Sequence, residues 1–154
     1  MKRFLVVAVL TVIIIGVMLY FIPQSMQADV LNYSQYNAQI SIYCRSTTCN
    51  SIDTGMGKIV TCNSQTLKQT LSNCNQVDGI SVSFDGVLQD VDDVFNRLNA
   101  TLISMQQFDD LLIICCNSPR IKGGVTVDGN SVNVQIAYCD GKITVGYPLI
   151  LGSY

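Results

Sequence analysis

Residues 125–147 read VTVDGNSVNVQIAYCDGKITVGY, and the two Asp-Gly pairs inside this stretch set the register on which the fold is built. Asp-Gly between alternating apolar and polar residues signals a two-residue hairpin loop, in which both loop positions need positive φ. With Asp128-Gly129 as one such loop, Val127 faces Asn130 and Val125 faces Val132. With Asp140-Gly141 as the other, Cys139 faces Lys142, Tyr138 faces Ile143 and Ile136 faces Val145. Side chains alternate faces along a strand. One face then gathers Val125, Val127, Val132, Val134, Ile136, Tyr138, Ile143, Val145 and Tyr147. The other gathers Thr126, Ser131, Asn133, Gln135, Ala137, Cys139, Lys142 and Thr144. A slip of one residue in either hairpin would mix the two sets, so the segregation supports the register. Pro148 cannot donate to a ladder and ends the last strand.

Working back from this block, residues 111–116 and 101–106 form a further hairpin around Phe108-Asp109-Asp110. Residues 87–98 carry Val87, Leu88, Val91, Val94, Phe95 and Leu98 on one side and Gln89, Asp90, Asp93, Asn96 and Arg97 on the other, an amphipathic helix. Asp85 stands at its cap position, and Asp90 and Asp92 lie near its positive end. Ile80, Val82 and Phe84 alternate with polar residues and form a strand. A shorter helix begins after a cap at Asn63 or Ser64 and presents Leu67, Leu71 and Cys74 as one stripe. Residues 58–62 and 37–44 complete the strands. The expected fold is α+β: an antiparallel sheet, with the Asp-Gly meander at its carboxyl end, packed on two amphipathic helices.

At the amino terminus Lys2 and Arg3 precede an uncharged apolar run over residues 4–22. A helix crossing a bilayer core needs about 20 such residues. A cleaved signal peptide has a shorter apolar region and small residues before its cut. Here a cut after Ala28 would leave bulky Met26 at the third position before it, so an uncleaved signal anchor in residues 1–28 is the first reading and a cleaved signal peptide the second. Either one sends the chain from about residue 29 onward across the membrane, because the basic pair stays inside. The expected organisation is a membrane segment at residues 4–22, a polar linker at 29–36 and one extracytoplasmic domain at 37–154.

Beyond Lys2 and Arg3 the chain holds seven Lys or Arg against eleven Asp, with no Glu and no His. That balance and the scatter of the basic residues argue against a nucleic-acid partner. Without histidine, the usual nucleophile triads and histidine-bearing zinc sites are absent. Gly55-Met56-Gly57-Lys58 lacks both the leading glycine and the following hydroxyl of a phosphate loop. Asp92-Asp93 and Asp109-Asp110 sit on a helix flank and in a turn, places where Asp is common for backbone reasons. No cofactor is implied.

Seven cysteines are the unusual feature of the composition. Outside the cell such a number points to disulfides, with at least one cysteine left over. Cys44 and Cys49 are the best local pair. Cys62 and Cys74 bracket a helix expected to be about 16 Å long, beyond the ~7 Å Cα reach of a bridge. Cys115 and Cys116 should point to opposite faces of their strand. Buried free thiols and a metal or redox role remain open beside disulfides.

The most site-like surface is the polar face formed by Thr126, Ser131, Asn133, Gln135, Lys142 and Thr144, whose amides and hydroxyls could bind glycan or peptide. The plainer alternative is a solvated sheet face. The apolar tail over residues 147–151 either closes the core or is offered to a partner.

Val82-Ser83-Phe84, the helix over 87–98, and residues 142–150 (KITVGYPLI) together resemble the YwmB-like proteins, secreted or membrane-anchored proteins of Firmicutes with a fold related to that of the TATA-binding protein. The resemblance implies an antiparallel sheet packed on helices and a cell-envelope location, with sporulation as one setting. It brings no activity and no functional residue. The expected function is an extracytoplasmic binding or interaction domain with an envelope protein or a glycan as partner. A hydrolase or thiol enzyme using Asp or Cys, and a structural envelope component, are the rival classes.

Overall fold

The computed structural model describes residues 29–151. The expected membrane run at residues 4–22 and the cut after Ala28 lie outside them, and among the described residues no helix is long and apolar enough to cross a membrane. A 3-10 helix, Leu31–Tyr36, leads into β1 (Gln39–Thr47), β2 (Ile52–Asp53) and β3 (Lys58–Cys62). Helix α1 (Leu67–Ser72), β4 (Cys74–Asp85) and helix α2 (Leu88–Arg97) come next. The rest is all strand: β5 (Thr101–Phe108), β6 (Leu111–Asn117), β7 (Val125–Val127), β8 (Asn130–Val132), β9 (Val134–Cys139) and β10 (Lys142–Tyr147).

Eight strands form one antiparallel sheet in the order β2-β3-β1-β4-β10-β9-β6-β5, which with its two helices makes an α+β fold. Both Asp-Gly loops have positive φ at each position: 49° and 80° at Asp128 and Gly129, 48° and 75° at Asp140 and Gly141. The pairs read from the sequence are present, with Val125 opposite Val132, Val127 opposite Asn130, Cys139 opposite Lys142 and Ile136 opposite Val145.

The meander nevertheless divides. β7 and β8 pair only with each other, as a separate two-stranded sheet, while β9 and β10 run through the middle of the large one. The break falls at Asn133, which is buried. Its Oδ1 accepts from the Ser118 amide at 2.7 Å, and its Nδ2 donates to the carbonyls of Ser118 at 2.8 Å and Ile121 at 2.7 Å. A buried amide that satisfies three backbone groups holds the chain in a local conformation that the ladder would not give. Consequently Thr126 and Ser131 leave the polar face of the main sheet, and Asn133 turns inward.

The core lies on one face of the sheet. Ile40, Val82, Val145, Ile136 and Ile114 form a single row across β1, β4, β10, β9 and β6, and all are buried. Val91, Val94 and Leu98 of α2 cover this face. Each such side chain taken out of water contributes about 1.5–3 kcal/mol. Val87 and Leu88, expected on the apolar side of α2, are exposed instead. The cap also differs: Asp90 Oδ2 accepts the Val87 amide at 2.7 Å, while Asp85 ends β4. The stretch read as a linker contributes Val30 and Tyr33 to the core, both fully buried.

The apolar tail folds back over the opposite face. The Ile150 amide donates to Gln135 Oε1 at 2.9 Å, and a Cβ placed on Gly146 would come within 2.2 Å of the Leu149 backbone. Glycine at 146 is what admits the tail there.

Candidate functional site

The six residues of the expected polar face fall in four places. Thr126 and Ser131 are exposed on the β7–β8 hairpin, where Asn117 Nδ2 donates to the Ser131 carbonyl at 3.0 Å. Asn133 is a buried clasp, and Gln135 holds the tail. Lys142 and Thr144 alone line a cavity, about 250 Å³ in volume, together with Ala137, Cys139 and Asp140. Thr144 Oγ1 and Ser83 Oγ lie 2.9 Å apart in a hydrogen bond across the β4–β10 ladder. A second depression of about 300 Å³ carries Asp109, Asp110 and Asp140 with Tyr138 and Gln107. Both flank the Asp140-Gly141 turn. Cys139 lies opposite Lys142 in the β9–β10 ladder, and both line this cavity. Among the described residues no three Cys or Asp side chains come together as a metal site.

A polar cluster beneath the sheet has no counterpart in the sequence reading. The Tyr147 hydroxyl donates to Asp29 Oδ2 and is hydrogen-bonded to the Tyr33 hydroxyl at 3.2 Å. Arg97 Nε lies 3.7 Å from Asp29 Oδ1, and the guanidinium sits 4.3 Å above the Tyr33 ring centroid. Burial first, and then the negative charge of Asp29, pushes the Tyr33 hydroxyl well above its ordinary pKa; burial also leads the upward shift at Tyr147. Two neutral phenols therefore surround the one carboxylate. Alternation places the Tyr147 ring in the core, and helical periodicity places Arg97 on the outer side of its helix. Neither pattern predicts a meeting with Asp29, because the contact joins residues at opposite ends of the domain.

Cys44, Cys49, Cys62 and Cys74 lie on β1, in the loop after it, on β3 and at the start of β4, and all are free thiols. In the ladders of β1, Cys62 lies opposite Ile40, and Cys74 lies opposite Thr47. The Thr47 Oγ1 accepts from the Cys49 amide at 3.0 Å and from Cys74 Sγ at 3.8 Å. Burial raises the Cys44 thiol to about 12, with Cys74 and Cys49 adding to the shift. Cys62 is also shifted upward by burial. Helix α1 has only six residues and leaves Cys74 to start a strand. Cys44 and Cys49, the expected local pair, are both free.

The remaining cysteines are elsewhere. Cys116 is buried and donates to the Val134 carbonyl at 3.5 Å, whereas Cys115 on the other face is half-buried and accepts from Gln135 Nε2 at 3.9 Å.

The sheet ends on β5. This strand has eight residues, TLISMQQF, none of them charged, and all but Ile103 are exposed. Leu102, Met105 and Phe108 are 50%, 62% and 58% exposed.

No protein-family model, curated protein or solved structure matches the chain.

Proposed function

We propose that this is a membrane-anchored, extracytoplasmic interaction domain of the bacterial cell envelope, held by residues 4–22, that engages a polypeptide partner by strand addition at β5. Catalysis is not part of the reading, and sporulation is one setting for it. The observation that carries it is the open β5 edge: eight residues long, uncharged and lined with apolar side chains. Exposed edges are normally blunted by charge, proline or shortness, because unpaired N–H and C=O groups recruit another strand. β5 has none of those three, and its register shift between Leu102 and Ser104 leaves residues 104–108 as the regular stretch of edge, which suits a partner that supplies an extended segment. The same observation favours protein over glycan, since the polar residues expected to bind sugar are dispersed. The basic pair and apolar run at the amino terminus support the membrane location.

Photocrosslinking in native membranes tests this. A photoreactive residue at Met105 should give polypeptide adducts, whose mass identifies another envelope protein or a second copy of the chain, and the same residue at Ile52 on the opposite edge should not. Equal adducts from both edges, or none from Met105, would sink the proposal.

A further inference from the structure

We propose that the strand added at β5 is β5 of a second copy of this chain, the two pairing antiparallel about a two-fold axis at Gln106. The inference rests on the reading of β5 as an open edge and names the partner. Backbone geometry fixes the register. Asp109-Asp110 is a two-residue loop closed by the Phe108–Leu111 pair. Such a closing pair exchanges both of its backbone hydrogen bonds, and bonded and unbonded positions then alternate along the ladder. Phe108, Gln106 and Ser104 therefore direct their N–H and C=O groups to β6, while those of Gln107 and Met105 point to the open side. The register shift between Leu102 and Ser104 ends this regular stretch. One antiparallel register pairs all of these outward groups in two copies: Met105 of each opposite Gln107 of the other, with Gln106 opposite itself.

Charge favours the same arrangement. In this register Ser104 faces Phe108 and Met105 faces Gln107, so no charge meets its own kind along the strand. The charges stand beyond the strand ends and differ in sign. Exposed Asp109 and Asp110 follow Phe108, whereas at the other end of the hairpin Asn117, opposite Thr101, leads to exposed Arg120. Antiparallel pairing lays the acidic turn of one copy beside the basic end of the other, and symmetry repeats the match. Parallel pairing would set acid beside acid. The two-fold axis between antiparallel strands stands perpendicular to the sheet, so both copies keep α2 and its ion-pair partner Asp29 on one side of the joined sheet. Two anchors in one membrane require that. A strand pair this short is a small contact against the roughly 1,200 Å² of a standard interface, and the shared membrane supplies the local concentration that holds it together.

The test uses the full-length chain in native membranes, with two differently tagged forms made together. A photoreactive phenylalanine analogue at Gln106 of one form should give an adduct of twice the chain mass that carries both tags, attached within residues 104–108 of the other form. Arg120→Asp in both forms should lower the yield of that adduct by about threefold, and Arg120→Asp combined with Asp110→Lys should restore it. Asp109 is kept because it holds a positive φ of 48°, which few side chains adopt. Adducts from Gln106 only with a different polypeptide would overturn self-pairing and leave strand addition standing, whereas no adduct from Gln106 or Met105 would end both. A yield indifferent to Arg120→Asp, or one that the double variant does not recover, would overturn the antiparallel register.

Discussion

The two ends of the sheet are built on opposite plans. At the β2–β3–β1 end the edge strand has two residues, Asp53 and Lys58 form an ion pair at 3.4 Å, and the strands behind the edge carry Cys44, Cys62 and Cys74 as free thiols. At the β6–β5 end the edge strand is long and uncharged, and the chain behind it is held by the buried Asn133–Ser118 amide clasp. The first plan keeps the edge strand short and puts a charged pair on it. The second leaves an edge open and positions it with hydrogen bonds. Exposure of an edge is thus a property set strand by strand, and here it is withheld from one side and granted to the other.

The largest effect should come from the sulfur end. Cys44 is fully buried, so Cys44→Asp places a carboxylate in the interior and should cost more than about 4 kcal/mol in chemical denaturation. A loss below about 1 kcal/mol would remove this buried position from the comparison.

Next in size is the alkaline response of the other end. Burial raises the Cys116 thiol from 9.0 to about 12. The folded state keeps that proton where the unfolded chain has lost it. The contribution is thus complete below pH 9 and declines as pH rises towards 12. At about 1.4 kcal/mol per pH unit the loss is on the order of 4 kcal/mol. Urea titrations between pH 8 and 11 should show the decline, and Cys116→Ala should reduce it, leaving the share due to Cys44, whose thiol burial also raises to about 12. An undiminished decline in the variant would assign it to Cys44, Tyr33 and Tyr147.

The clasp comes third. Asn133→Ala takes this partner from the Ser118 amide and the Ile121 carbonyl, while the Ser118 carbonyl keeps the Ile121 amide at 3.3 Å, at a cost of about 2–3 kcal/mol. Gln135→Ala, nearer the surface, should cost under about 1 kcal/mol. Equal losses in chemical denaturation would mean that the clasp does not hold the β6–β5 end.

The smallest stability change is the most informative about partners. Met105→Lys on the open edge should alter stability by no more than about 0.5 kcal/mol. It should nevertheless weaken strand addition at least tenfold in a binding titration with the cross-linked partner. Ile52→Lys should leave binding unchanged, and a matching loss there would erase the distinction between the edges.

Much of this architecture is legible in the sequence where a local rule decides it. The Asp-Gly loops declare their registers because two positive-φ positions leave little choice of turn, and the Asp109-Asp110 turn is marked by two acidic residues ahead of the apolar run at 111–116. The division at Asn133 is not legible, since alternation continues unbroken through residues 125–138 and a clasp to Ser118 and Ile121 leaves no mark on it. Helix α1 is shorter than its apolar stripe implies, and Cys74 opens a strand instead. The Asp29–Tyr147 contact spans 118 positions in the chain, beyond the reach of periodicity. Of the polar face expected to bind, only Lys142 and Thr144 remain together.

The seating of Asp29 and Tyr33 has a mechanical consequence. Tension applied to the backbone at Asp29 passes to α2 through Arg97 and to β10 through the Tyr147 hydroxyl, near the middle of the sheet. Neither outer strand lies on that route. A domain pulled from this point would be strained along its centre while the β5 rim kept its shape.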